Sequence, residues 1–341
     1  MRRILPSAAV LATVLAVLPA ATAAANDPGA GSRTPTDLAV IGDVPYGGAQ
    51  ISALPANIAQ INADPSVRLV MHLGDIKNGS SACTDTYFGQ IRTAFDSFDD
   101  PLVYTPGDNE WTDCHRINNG GFTPTERLAK LRSVFFDEPG ETLGVHARDV
   151  AHQRAPFVEN VSWTQSQTVF ATLNVPGSNN DLAPWFSQQN PAAVVTPAQQ
   201  QEYDSRLQAD LRWLDRTFDH AERRHAAAVV LGIQADMWDP AAVAGNQVSG
   251  FTPLVQRLAE RAREFDRPVL LLNGDSHVYG SDHPLDTPEG LALYGVDKPV
   301  PNLTRITVQG SDSKPREYVR LHVDPRQPGV FSWETVVYAT Q

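Results

Sequence analysis

Basic residues are in the minority. The 341-residue chain carries 27 Lys and Arg against 39 Asp and Glu, a formal net charge of −12. That balance excludes a surface built for sequence-independent binding to the phosphate backbone of DNA or RNA. It leaves room for an anionic substrate, because bound metal cations can supply positive charge locally. Long apolar runs are missing as well. The run from Ala8 to Leu18 falls short of the ~20 residues that a membrane span needs. It follows Arg2 and Arg3 and leads into small residues through Ala25, the pattern of a secretory signal peptide. Cleavage is expected after Ala23 or Ala25, so that residues 1–25 are the signal and 26–36, rich in Gly, Pro, Ser and Thr, a flexible leader. No later segment is apolar for long enough to span, so the expected location is secreted, periplasmic or extracellular. Cysteine is scarce: Cys83 and Cys114 are the only two. An even count in an exported chain predicts a disulfide. There is no internal repeat, no low-complexity block beyond the leader and no break in composition, so residues 37–341 are expected to form one domain.

What is present is a series of short apolar runs that end in Gly-Asp. Leu38–Ile41 runs into Gly42-Asp43, Leu69–Leu73 into Gly74-Asp75, and Leu102–Tyr104 into Thr105-Pro106-Gly107-Asp108. Later, Val269–Leu272 runs into Asn273-Gly274-Asp275, and Ala228–Leu231 into Gly232-Ile233-Gln234. Such runs are what buried parallel strands look like. Helical patterns separate them, over residues 50–63, about 84–97 and, most clearly, 197–224, where Leu207, Leu211, Leu214 and Phe218 share a stripe. Strand–helix alternation predicts an α/β fold with a mainly parallel sheet. Leu303–Val308, Tyr318–Val323 and Val330–Tyr338 alternate like antiparallel strands. The Pro and Gly clusters at 174–192 and 281–301 read as loops, and Asn174–Asp181 either as an ordinary polar turn, the preferred reading, or as a lining of the ligand cleft.

In open α/β sheets ligands bind beyond the carboxyl ends of the strands. Asp43, Asp75, Asp108 and Asp275 each stand where a strand would end. Four carboxylates on one edge repel unless cations neutralise them. The pattern therefore predicts a metal site.

The order and spacing of these motifs resemble the calcineurin-like metallophosphoesterases, the family that includes the purple acid phosphatases. That family runs Asp-x-His, Gly-Asp, Gly-Asn-His-Asp/Glu, a lone His, then Gly-His-x-His. Here the corresponding stretches are Gly42-Asp43-Val44-Pro45-Tyr46, Gly74-Asp75-Ile76-Lys77-Asn78, Gly107-Asp108-Asn109-Glu110-Trp111, Gly232-Ile233-Gln234-Ala235-Asp236 and Gly274-Asp275-Ser276-His277. The resemblance implies a four-layer sandwich of two mixed β-sheets flanked by helices, with two divalent metal ions at the strand ends. It implies metal ligands at Asp43, Asp75, Asp108, Gln234, Asp275 and His277, with Asp75 shared. Asp236 is the alternative to Gln234. Pro45 stands at a usual histidine and cannot ligate; Tyr46 beside it is a substitute ligand or a packing residue. Asn109 also replaces a histidine, and can donate a hydrogen bond but not a proton. Glu110 and His115 are the candidates to protonate a leaving group, and Lys77 and Asn78 to contact substrate phosphate. A Cys83–Cys114 bond would tie two of these loops together.

Sorted by ion, one site keeps Asp43, Asp75 and His277, and the other has only oxygen donors. Oxygen donors suit Mg, Mn or Ca, whereas imidazole also admits Fe or Zn. Three readings follow. The first is an exported metal-dependent phosphoesterase acting on phosphate mono- or diesters. The second is a degenerate, non-catalytic relative that binds a metal or ligand. The third is a calcium-stabilised binding module.

Overall fold

The apolar runs form strands buried on both faces, as continuous apolar sequence requires. The computed structural model describes residues 32–310 and 312–339. The expected signal peptide lies outside the described residues. In chain order the strands are β1 (Thr36–Ile41), β2 (Val67–His72), β3 (Leu102–Tyr104), β4 (Ala151–His152), β5 (Val161–Gln165), β6 (Thr168–Thr172), β7 (Ala228–Gly232), β8 (Val269–Asn273), β9 (Gly280–Asp282), β10 (Leu303–Thr307), β11 (Glu317–Val323) and β12 (Phe331–Val337).

They make two sheets. One has the order β12-β11-β1-β2-β3, the other β4-β5-β6-β7-β8-β10-β9. Both are mixed. In the first, β1, β2 and β3 run parallel and β11 and β12 add antiparallel at one edge. In the second, β6, β7, β8 and β10 are parallel, with antiparallel strands on either side. The inner faces meet through Leu38, Val40, Leu69 and Met71 of the first sheet and Phe170, Val230, Leu270, Leu272 and Ile306 of the second. Helices Gly47–Asn62, Asp85–Phe95 and Pro124–Phe135 cover the outer face of the first sheet. Helices Pro197–Arg223 and Thr252–Phe265 cover that of the second. The architecture is therefore the expected α/β sandwich of two mixed sheets flanked by helices. Among the described residues, no helix is long and apolar enough to cross a membrane.

Two expectations need correction. Leu303–Thr307 does not join an antiparallel C-terminal group. It pairs parallel to β8, with Leu303 opposite Val269 and Thr307 opposite Asn273. Alternation reports one-sided burial, not strand direction, and in β10 Thr304 and Arg305 are only half-buried at the second-last position of the sheet. The supposed loop 281–301 contains the end of β9 and a short helix, Pro288–Tyr294. Thr287 caps that helix by accepting from Gly290 N at 3.1 Å, with Pro288 in the first turn. Thr before Pro is a start signal that the density of Pro and Gly concealed.

The expected disulfide is present. Cys83 and Cys114 are bonded, with Cα atoms 5.9 Å apart and a sequence separation of 31. The bond joins the segment after β2 to the short 3-10 turn Thr112–His115 after β3, and both cysteines are fully buried. Closing a loop of this length restricts the unfolded chain by about 3–4 kcal/mol. Replacing both cysteines by Ala is expected to lower stability by roughly that amount, read as the urea midpoint. An unchanged midpoint would refute the assignment of this bond as a structural clamp.

Candidate metal centre

Three of the strands that reach the site, β1, β2 and β8, are followed by an Asp with left-handed backbone. Asp43 has φ 54°, Asp75 φ 55° and Asp275 φ 74°, and His277 follows at φ 63°. This left-handed backbone costs a non-Gly residue roughly 1–2 kcal/mol, Asp being among the better tolerated. The conformation directs side chains from both sheets toward one rim. Gly74 makes the approach possible: it sits at φ 87°, and a Cβ there would lie 2.7 Å from Gly107 N and 2.8 Å from Gln234 Cγ.

Two groups of donors result. One is Asp43, Asp75 and His277; the other is Asp75, Asp108 and Asp275. In each, one donor atom per residue lies within 4.8 Å of the other two. Asp75 belongs to both. His277 is oriented from behind, its Nδ1 2.9 Å from Asp312 Oδ1. This leaves Nε2 facing Asp43 Oδ1 at 3.5 Å. A carboxylate on the distal ring nitrogen is the usual support of a metal-binding histidine.

The carboxylates are held against their own electrostatics. Asp43 and Asp75 are fully buried, and Asp275 is half-buried beside them. Burial pushes Asp43 up to about 7, with His277 opposing and Asp108 adding. Burial pushes Asp75 well above the usual carboxylate range, and Asp108, Glu110, Asp43 and Asp275 add to it. Asp275 is raised in the same way, chiefly by burial and then by Asp108 and Asp43. Clustered acids of this kind are what a divalent cation neutralises. The donor chemistry therefore fits metal ions. Asp43, Asp75 and His277 make a mixed nitrogen–oxygen set, and Asp75, Asp108 and Asp275 an all-oxygen set.

The other predicted residues divide between the donor groups and their surroundings. Asn109 lies directly on Asp75: its Nδ2 donates to Asp75 Oδ2 at 2.6 Å and its backbone N–H to Oδ1 at 3.2 Å. Gln234 reaches the second group, but with its Nε2, which donates to Asp108 Oδ1 at 3.3 Å. Its Oε1 accepts from Gly177 N at 2.5 Å. Asp236 turns its side chain away, to Arg305 and Trp238 N, and supports Asp275 through a backbone N–H at 3.1 Å.

Glu110 is fully buried beneath the site. Its Oε1 accepts from Asp75 N at 3.0 Å, Gly107 N at 2.7 Å and Tyr104 OH at 2.8 Å. Lys77 is equally buried, and its Nζ donates to the carbonyls of Asn78 and Asn109 at 2.8 and 2.7 Å. Burial lowers this ammonium to about 8 against the pull of Glu110. Asn78 folds onto Ser80 and Ser81. His115 makes its hydrogen bonds to Phe186 N and Gln189 Nε2; burial and Arg116 lower it to about 4.

Two features were under-read in the sequence. The Tyr46 hydroxyl stands among the first group, 3.0 Å from Asp75 Oδ2, 3.1 Å from His277 Nε2 and 3.5 Å from Asp43 Oδ1. Its spacing of three from Asp43 was the available signal. The second is the turn after β6. Ser178, Asn179, Asn180 and Asp181 all have left-handed backbone, with φ of 50°, 58°, 56° and 68°. The turn presses Gly177 onto the second group, where a Cβ would lie 2.8 Å from Asp275 Oδ1 and 2.9 Å from Asp108 Oδ2. Ser178 Oγ lies 2.8 Å from Asp108 Oδ2 and 2.9 Å from Asp113 Oδ1.

No family model matches the chain, and no curated protein matches it. Several solved structures share its course. One is GAP50, the anchor in the inner membrane complex of Plasmodium, at 10% identity and TM-score 0.43, with 90% of each chain covered. Another is the purple acid phosphatase PPD1 from yellow lupin seeds, at 9% identity and TM-score 0.46, covering 90% of this chain and 54% of that one. A third is the phosphopantetheinyl hydrolase of Mycobacterium tuberculosis, at 12% identity and TM-score 0.43, covering 92% and 98%. These likenesses concern the fold, and the chemistry rests on the residues above.

Asp275→Asn tests the electrostatics. The amide can still accept from Asp236 N while offering an N–H toward Asp108. A carboxyl whose folded pKa is raised contributes stability below its unfolded value near 3.8 and loses it as pH rises. In chelator-treated protein the variant is therefore expected to melt higher than wild type at pH 7.5, with the gap closing toward pH 4. Added Mn should raise the melting temperature of wild type more than that of the variant. A variant less stable than wild type at pH 7.5 without metal would contradict the repulsion argument.

Proposed function

We propose that the chain is an exported, metal-dependent phosphoesterase of the calcineurin-like type, hydrolysing phosphate mono- or diesters. The observation that carries this reading is the sharing of Asp75 between two adjacent donor groups, the arrangement that a two-ion site needs. Divalent ions bound there would supply positive charge to polarise a phosphoryl oxygen and to lower the pKa of water. Asp43, Asp75 and His277 would hold one ion. Asp75, Asp108 and Asp275 would hold the other, which favours Mg, Mn or Ca, while the histidine-containing set admits Zn or Fe.

The chain's own groups have separate tasks in this reading. Asn109, only 8% exposed at the rim, places its amide N–H groups on Asp75 Oδ2 and the Tyr46 hydroxyl, and a substrate oxygen would have to compete for them. It can stabilise charge on the transferring group but cannot move a proton. Glu110 acts from beneath: by accepting from Asp75 N and Gly107 N it fixes the two loops that carry Asp75 and Asp108. Lys77 does the same through carbonyls. Tyr46 stands where the family's first motif places a histidine one residue earlier.

A second reading has its own support. The Tyr46 hydroxyl lies among Asp43, Asp75 and His277, and Gln234 turns an N–H toward Asp108. Both suit a non-catalytic relative that binds a metal or ligand.

Hydrolysis of aryl phosphate mono- and diesters, with Mg, Mn, Ca or Zn added, separates the two. The mature protein is expected to turn over in a metal-dependent way, and Asp75→Ala to lose roughly 10³-fold or more. A melting temperature that rises with calcium, with no hydrolysis under any ion, would transfer the conclusion to the binding protein.

A further inference from the structure

A site made of carboxylates needs cationic partners if an anion is to enter it, and the nearby cations are nearly all committed. Lys77 is buried and holds two carbonyls. Arg305 is paired with both Asp236 and Asp282. Arg116 differs. It is 30% exposed, and its one ion pair among the described residues runs from Nη2 to Asp113 Oδ2 at 2.6 Å. Asp113 is connected through the Ser178 hydroxyl to Asp108. The guanidinium is thus linked to a member of the second donor group by a continuous chain of polar contacts.

The position is fixed as well as linked. Arg116 follows the disulfide-bonded Cys114 by two residues. Its carbonyl accepts from Asn119 N and Gly121 N, both at 3.0 Å. Its Nη1 also faces the rim: a Cβ built on Gly79 would lie 3.4 Å from Arg116 Nη1 and 3.0 Å from Asn109 Oδ1. Asn109 in turn lies on Asp75 at 2.6 Å. Arg116 and Asn109 therefore flank the same glycine, beside the residue shared by the two donor groups.

We propose that Arg116 is the anchor for a phosphoryl oxygen of the substrate. Resting on the phosphoesterase reading, this inference assigns the anion-binding role to a residue outside all five motifs. A guanidinium suits the role because its planar fork offers paired N–H donors to tetrahedral oxyanions while one edge stays on a carboxylate. Asp113 takes that edge and sets the plane. Gly79 leaves open the space between Arg116 and Asn109 that a larger side chain would fill.

The test is calorimetric titration of inorganic phosphate into the Mn-loaded mature protein, its Arg116→Ala and its Arg116→Lys variants, alongside KM for an aryl phosphate. Arg116→Ala is expected to weaken phosphate binding about tenfold or more, and to raise KM with kcat little changed. Arg116→Lys should restore part of the loss, and Mn affinity should stay at the wild-type value in both variants. Equal phosphate affinity in wild type and Arg116→Ala overturns the proposal, as does no phosphate binding to wild type. A parallel fall in Mn affinity overturns it too, by revealing a structural role. Phosphate binding that depends on Arg116 without any ester hydrolysis would keep the anchor and remove the phosphoesterase reading. Turnover with an unchanged KM in Arg116→Ala would do the reverse.

Discussion

The mutual repulsion of Asp43, Asp75, Asp108 and Asp275 is the constraint around which this molecule is arranged. Buried carboxylates resist ionisation, and each neighbour strengthens the resistance. Three of them are pushed upward, by burial first; neighbouring acids add to it for each, and for Asp43 His277 opposes it. A fold that brings such groups together must hold them by force from elsewhere. Here the force comes from two sheets whose inner faces interlock through large apolar side chains, with a helical layer behind each. The strands carry the carboxylates at their ends, so the packing of the core determines the separation of the charges. A cation relieves what the core compels.

Local supports translate that packing into side-chain positions. Glu110 and Lys77 lie under the rim and take up the backbone N–H and C=O groups that two bent loops would otherwise leave unpaired. Their opposite charges lie close enough to perturb each other. The disulfide crosses the same region and joins the same two loops. Asp312 performs the corresponding task for His277 from the connection between β10 and β11. The donor atoms are thus held in place by groups behind and beside them, as a preorganised site demands.

Much of this was legible because strand ends have a chemical signature. A short apolar run followed by Gly-Asp implies both a buried strand and a carboxylate at its edge, so Asp43, Asp75, Asp108 and Asp275 were found by one rule. The identity of the first-motif substitute was not. Pro45 removed the expected ligand, and whether Tyr46 packs or points inward depends on the loop path, which spacing does not specify. Gln234 was located correctly at its strand end, yet the direction of its amide is set by Gly177, which lies 57 residues away. Arg116 belongs to no motif, and only the folded course of residues 112–121 brings it beside Asn109. The pairing of β10 with β8 was misread because half-buried positions near a sheet edge mimic antiparallel alternation.

The turn at Ser178–Asp181 shows most clearly that geometry at this rim outranks local preference. Four consecutive residues adopt a backbone that costs each roughly 1–2 kcal/mol. Asn and Asp reduce that cost by tolerating the left-handed region, and three of the four are Asn or Asp. The remainder is offset by partners. Buried Arg206 holds Asn174 O, Asn180 O and Asn180 Oδ1. Asn179 and Asn180 bond to Gly250, and Asp181 accepts from Trp185 Nε1 at 2.7 Å. An ordinary turn would join the same two elements at lower cost. What this one adds is contact of Gly177 with Asp108 and Asp275, and of Ser178 with Asp108 and Asp113. Strain of this kind persists only where surrounding structure over-determines it. Its location against the second donor group, between Asp108 and the Arg116–Asp113 pair, ties the turn to the chemistry of the rim rather than to the connection of β6 with the helix that follows.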